Sequence, residues 1–168
     1  GRLSINNDEE LTTLTVSGFA TVYINNCPKL NYIYIADPQE NNGVITGDFL
    51  EKLYINNCGL SGNEFKIGSV QTPNTVADLR AYSKLKYLRI SSCSKLTEIK
   101  FIDDSDKNIE LAPYAFQNNT NLKYINGNST QWITGSHTFY NCREFTFKVG
   151  AGNSDPMSNI KVRSNVTS

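Results

Sequence analysis

Apolar residues recur in this chain at a fixed set of offsets, each series closing on a cysteine. Phe19-x-x-Val22-x-Ile24-x-x-Cys27 is one copy, Leu50-x-x-Leu53-x-Ile55-x-x-Cys58 a second and Leu85-x-x-Leu88-x-Ile90-x-x-Cys93 a third. The apolar pair two residues apart is the alternation of a strand with one face in a core. The pattern then restarts, because Leu30-x-x-Ile33-x-Ile35 follows Cys27 and Leu96-x-x-Ile99-x-Phe101 follows Cys93. So few residues separate the two strands that no helix fits between them. The spacing therefore predicts coils with a strand on each side, joined by tight turns. Stacked coils would form two parallel sheets facing each other across a narrow core. Leu60 through Phe65-Lys66-Ile67 reads as the second strand of the middle coil, with two extra residues.

Further along, the pattern changes form. Ala115-Phe116-x-x-Asn119-x-x-Leu122-x-x-Ile125 is matched by Thr138-Phe139-x-x-Cys142-x-x-Phe145-x-Phe147. Phe116 to Phe139 and Asn119 to Cys142 are the same distance apart, which marks a second repeat class with Asn119 in the cysteine place. Leu111-Ala-Pro-Tyr-Ala-Phe116 reads as a turn or helical corner.

These residues carry a family resemblance. LxxLxLxx(N/C)xL is the leucine-rich-repeat signature. The LxxLxI-xxC-xxLxxI halves resemble repeats of surface proteins from Bacteroides-like bacteria. LAPYAFQNNTNLKYI and HTFYNCREFTF resemble the BspA-like class. The resemblance implies one mostly β leucine-rich-repeat solenoid over residues 1–168, with clear repeats at about 11–149 and a cap or tail at 150–168. Short parallel strands on two facing sheets, irregular insertions and little helix complete the expected fold. The resemblance also implies a secreted or bacterial cell-surface adhesion module, with a protein or glycan partner on a host or neighbouring cell.

Insertions are expected at 36–48 and 68–83, where cysteine spacing lengthens; they read either as drift in tolerant loops or as binding excursions. Ile160 to Val166 is expected as a final strand over the last coil.

Composition limits the function classes. Acidic and basic residues balance at 16 each, and no run of Lys or Arg points to nucleic acid or an anionic membrane. No apolar stretch approaches the ~18 residues of a bilayer span, so this segment is not expected to insert in a membrane. Asparagine supplies 21 of the 168 residues. Its side chain caps turns and tolerates left-handed backbone, so the chain should turn often and sharply.

The four cysteines lack the close pairs of a zinc site. In-register coils bring them within disulfide range, yet the repeat turns this position inward, where a free thiol packs as a small apolar group. His137, the sole histidine, has no nucleophile motif around it and reads as a surface or corner residue. Asp104-x-Asp106-x-Asn108 matches half of a calcium loop but has Ile109 where glycine is required and Ala115 where the closing Glu belongs. A solvated loop is the main reading of that cluster, with weak calcium binding as the alternative. No catalytic residue, metal ligand set or cofactor is assigned, and the chain is read as non-enzymatic.

Alternation of side chains places Tyr23, Tyr54, Tyr87 and Arg89 on the outer face of the first sheet, and Tyr32, Tyr34 and Tyr124 on that of the second. Aromatic and Arg side chains on a rigid sheet are binding anchors, while Tyr also suits a half-exposed strand for packing reasons alone. The two function readings are a recognition face for protein or glycan, and a structural spacer or surface or virion display domain without a dedicated ligand.

Overall fold

The computed structural model of the chain describes residues 1–36, 39–41, 44–46, 50–68, 74–102, 104, 106–126, 131–145 and 160–162. The fold is mostly β, without a helix among the described residues. Numbered in chain order, β1 (Arg2–Asn6), β3 (Thr21–Cys27), β7 (Lys52–Cys58), β10 (Tyr87–Ser91), β12 (Asn108–Leu111), β14 (Gln131–Thr134) and β15 (Ile160–Val162) form sheet A in that spatial order. Sheet B runs β2 (Thr13–Val16), β4 (Tyr32–Ile35), β8 (Lys66–Ile67), β9 (Val76–Asp78), β11 (Glu98–Lys100) and β13 (Tyr124–Asn126). Every pairing in both sheets is parallel. From β1 to β4 the chain alternates between the sheets, and it resumes that alternation from β10 to β13.

Inward side chains of the two sheets form one core. Val22, Ile24, Leu53, Ile55, Leu88 and Ile90 from sheet A and Ile33, Ile67 and Ile99 from sheet B are each 0 % exposed. Each such side chain contributes about 1.5–3 kcal/mol relative to exposure. The register aligns like with like: Ile24 pairs with Ile55 and Ile55 with Ile90. Further along sheet A, Tyr87 opposes Glu110 and Asn108 opposes Gln131.

One expectation about extent changes. The repeat begins earlier than Leu11: Leu3 and Ile5 pair with Val22 and Ile24, and Leu14 and Val16 pair with Ile33 and Ile35. The strand pair β1 and β2 is joined through Asp8, which stands where the corresponding segments after β3, β7 and β10 carry cysteine, and the Asp8 carboxylate accepts from the Glu10 and Leu11 amides. An alignment built on cysteines misses it. At the other end, β15 pairs with β14 as the expected final strand over Ile160–Val162; residues 163–168 lie outside the described residues, as do Phe147 and Val149.

The segment 68–83 is corrected more deeply. It was expected as a surface excursion, but its described part builds core. Val76, Ala77, Leu79 and Tyr82 are buried, and the Tyr82 hydroxyl donates to the Ile35 carbonyl at 2.9 Å. β9 enters sheet B between β8 and β11, so sheet B takes two strand steps where sheet A takes one, from β7 to β10. Gly68 makes the return possible: its φ is +91°, and a Cβ there would collide with the Asp78 carbonyl oxygen. Asp78, 7 % exposed, is held by a bidentate Arg80 fork at 2.9 and 2.7 Å. Those hydrogen bonds hold the Asp78 carboxyl below its usual range despite opposing desolvation. The other expected insertion, 36–48, contains the antiparallel hairpin β5 (Gln39–Asn41) and β6 (Val44–Thr46). Residues 37–38, 42–43, 47–49 and 69–73 of the two segments lie outside the described residues.

The corners use asparagine in two different ways. Asn26 and Asn57 each sit in left-handed backbone with φ of 56°, as does Asn7 with φ of 57°. Their amides form a side-chain ladder: Asn26 donates to Asn7 at 2.9 Å and Asn57 to Asn26 at 2.6 Å. One residue earlier a second ladder runs along the strands. Asn56 donates to Asn25 at 2.8 Å and Ser91 to Asn56 at 2.8 Å. In the second repeat class the left-handed positions are Tyr114 and Asn118, repeated at His137 and Asn141. This segment is turn, as expected, though Leu111 ends strand β12.

Candidate binding face

The outward face of β1, β3, β7 and β10 is built by the alternation that buries Val22, Ile24 and their equivalents. Three rungs cross it. One carries Arg2, Thr21, Lys52 and Tyr87; the next Ser4, Tyr23, Tyr54 and Arg89; the third Asn6, Asn25, Asn56 and Ser91. Tyr23 and Tyr54 oppose each other directly, whereas Tyr87 sits one rung away, because β10 places Arg89 opposite Tyr54.

The rings nevertheless form a continuous ladder. Tyr23 and Tyr54 centroids are 6.0 Å apart with planes at 42°, and Tyr54 and Tyr87 are 5.9 Å apart at 40°. Tilted aromatic pairs at this distance attract through their quadrupoles. Cations flank both ends, with the Arg2 guanidinium 5.8 Å from the Tyr23 ring centre and the Lys52 ammonium 5.8 Å from that of Tyr87. Arg89 Nε donates to Ser91 Oγ at 3.1 Å, and that hydroxyl donates on to Asn56 Oδ1. The chain of hydrogen bonds fixes the guanidinium beside the ladder. Burial raises the Tyr54 hydroxyl above its usual value, Tyr87 adds to the shift and Arg2 opposes it. A shallow concavity of about 90 Å³ lies among Tyr23, Tyr54, Asn56 and Arg89.

The structure thus brings four of the seven sequence-derived residues together: Tyr23, Tyr54, Tyr87 and Arg89, all half-buried. Tyr32 and Tyr34 lie on β4 of sheet B, half-buried, and Tyr124 lies on β13 with three strands between. They do not join the ladder. Arg2, Lys52 and Asn25 belong to the face, and the buried Ser91 supports it from beneath Arg89; none was singled out from sequence. Lys52 could have been found, since it lies two residues before Tyr54 and so shares its face; Arg2 could not until β1 was known as a repeat strand.

The cysteines form an inner counterpart. Cys27, Cys58 and Cys93 are buried free thiols and Cys142 is half-buried. The first three each direct Sγ to the carbonyl two residues back, at 3.6, 3.4 and 3.3 Å, on Asn25, Asn56 and Ser91. Asn119, 0 % exposed, takes the cysteine place with more demanding chemistry: its oxygen accepts from the Cys93 amide at 2.9 Å and its nitrogen donates to the Ile90 carbonyl at 2.6 Å. Cys142 Sγ reaches the Phe116 carbonyl of the preceding coil at 2.9 Å.

His137 is exposed at a corner, stacked on Tyr114 at 4.9 Å and edge-on to Tyr140 at 6.1 Å. In the acidic segment the Asp104 carboxylate accepts from the Asp106 amide at 2.9 Å, closing a turn; Asp103 and Ser105 lie outside the described residues. Among the described residues no three His, Cys, Asp or Glu side chains are grouped to hold a metal ion. No helix among them is long and apolar enough to cross a membrane.

Comparison with protein-family models, curated proteins and solved structures returns no match.

Proposed function

We propose that the chain is a leucine-rich-repeat solenoid of BspA-like type, and that it acts as a non-enzymatic recognition or adhesion module. In this reading it is secreted or displayed on a bacterial surface and binds a protein or glycan through the outer face of sheet A. The observation that carries it is the Tyr23–Tyr54–Tyr87 ladder with Arg89 hydrogen-bonded beside it on rigid strands. Repeat architectures build extended surfaces of this kind rather than enclosed pockets, and aromatic and Arg side chains dominate binding energies. The solenoid reading is supported by the alternation of the chain between two parallel sheets and by ladders of like residues from coil to coil.

A structural spacer or display domain is the second reading. It is favoured by one observation: the three tyrosines are half-buried against each other, as they would be if they only shielded strand surface.

Screening the protein on glycan and protein arrays beside a Tyr23→Ala/Tyr54→Ala/Arg89→Ala variant separates the two. The recognition reading expects a ligand whose signal the triple variant loses while its melting transition stays cooperative. A ligand retained in full by the folded variant removes sheet A as the site. Silence across both arrays favours the spacer.

A further inference from the structure

The twelve residues on the three rungs of β1, β3, β7 and β10, all solvent-facing except the buried Ser91, include three cations, Arg2, Lys52 and Arg89, and no acid. The whole chain balances 16 against 16, so this segregation is local. None of the three forms an ion pair with a described residue. Glu51, next to Lys52 in sequence, is turned to Lys86 at 2.8 Å. The first outward acid, Glu110, comes one strand beyond, opposite Tyr87. A cationic set without an acid among its own rungs, around an aromatic ladder, attracts an anion.

The shape narrows the class further. A protein partner would seat apolar anchors in well-packed, desolvated pockets, whereas the concavity among Tyr23, Tyr54, Asn56 and Arg89 is shallow and about 90 Å³. A nucleic-acid site would be expected in a more basic domain than one of pI about 6.8. Tilted tyrosine planes suit the C–H face of a pyranose ring. The half-buried Asn25 and Asn56 run beside them with amides that match sugar hydroxyls. Three separated cations match charges spaced along a polymer, one every unit or two, rather than a dense phosphate backbone.

We infer that this face takes a linear anionic glycan, bearing carboxylates or sulfates, laid across the strands from β1 to β10. The inference rests on the reading of sheet A as the recognition face and names its ligand class. Sugar rings lie on Tyr23 and Tyr54, and the acidic groups meet Arg89, Lys52 and Arg2.

Titration calorimetry with polygalacturonate, dextran sulfate and uncharged dextran tests it, with polyglutamate and oligothymidylate as non-sugar polyanions. At least one acidic polysaccharide should bind at least tenfold more tightly than dextran, polyglutamate or oligothymidylate. Which one responds distinguishes carboxylate from sulfate. Arg89→Gln and Lys52→Gln should each weaken that binding several-fold, as should raised salt, and Tyr54→Ala should also weaken it. Dextran binding as tightly as the acidic sugars overturns the anionic assignment. Equally tight polyglutamate or oligothymidylate overturns the glycan assignment. In both cases sensitivity to Tyr54→Ala would leave sheet A as the recognition face. Acidic-glycan binding untouched by all three substitutions overturns both the inference and its premise. Absence of binding to every polymer overturns the inference alone, since the arrays judge the premise separately.

Discussion

Asn57 Nδ2 donates to Asn26 Oδ1 at 2.6 Å, and both residues hold left-handed backbone at φ 56°. One residue type therefore meets two requirements at each corner, a positive φ and a link to the end of the neighbouring strand. Asn57→Gly keeps the backbone and loses the hydrogen bond, so a loss of about 0.5–1.5 kcal/mol is expected. Asn57→Ala adds a left-handed penalty of about 1–2 kcal/mol. Urea unfolding should rank wild type above Gly and Gly above Ala. Equal Gly and Ala variants would show that the left-handed corner is not what asparagine supplies.

Asn119 presents a sharper case, because it is fully buried and satisfies groups on the preceding coil. Asn119→Ala strands the Cys93 amide and the Ile90 carbonyl. Each unsatisfied buried group costs about 1–3 kcal/mol, so a total loss of about 2–6 kcal/mol is expected by chemical denaturation. A loss below about 1 kcal/mol would mean that water or a rearranged coil replaces the amide.

How much of this was legible beforehand follows from what each residue must satisfy. Val22, Ile24, Leu53, Ile55, Leu88 and Ile90 announced their strands because the core between the two sheets makes the same demand of β3, β7 and β10. β9 was hidden because Val76, Ala77 and Leu79 answer a demand made once, by the extra strand step in sheet B. β1 was hidden because Asp8 stands in the cysteine place and turns the chain differently, its exposed carboxylate accepting from the Glu10 and Leu11 amides. Alternation told which side of a strand Tyr23, Tyr54, Tyr87 and Arg89 occupy. It could not tell that β10 shifts its tyrosine by one rung and sets Arg89 opposite Tyr54, which depends on pairing register.

The thiols give a pH prediction. Burial is the leading cause that pushes Cys58 up to about 12 and Cys142 up to about 11, from an ordinary value of 9.0; Cys93 is raised by the same cause. The native chain then holds protons that the unfolded chain releases above pH 9.0. The stability these thiols contribute is complete below that pH and is lost as pH climbs toward 11 and 12. Unfolding free energy should fall across pH 9–11, and substituting Cys58 by Ala should flatten the fall. Native alkylation at pH 8 should label half-buried Cys142 before Cys58 or Cys93. Prior labelling of Cys93 would contradict the burial described.

The central claim, that the outer face of β1, β3, β7 and β10 is the recognition surface, is tested most directly by amide chemical-shift mapping during titration with polygalacturonate and dextran sulfate. Shifts concentrated at Tyr23, Tyr54, Tyr87 and Arg89, with β4 and β13 quiet, are the predicted result. Saturable shifts confined to the Tyr114, His137 and Tyr140 corner, or to sheet B, would contradict it.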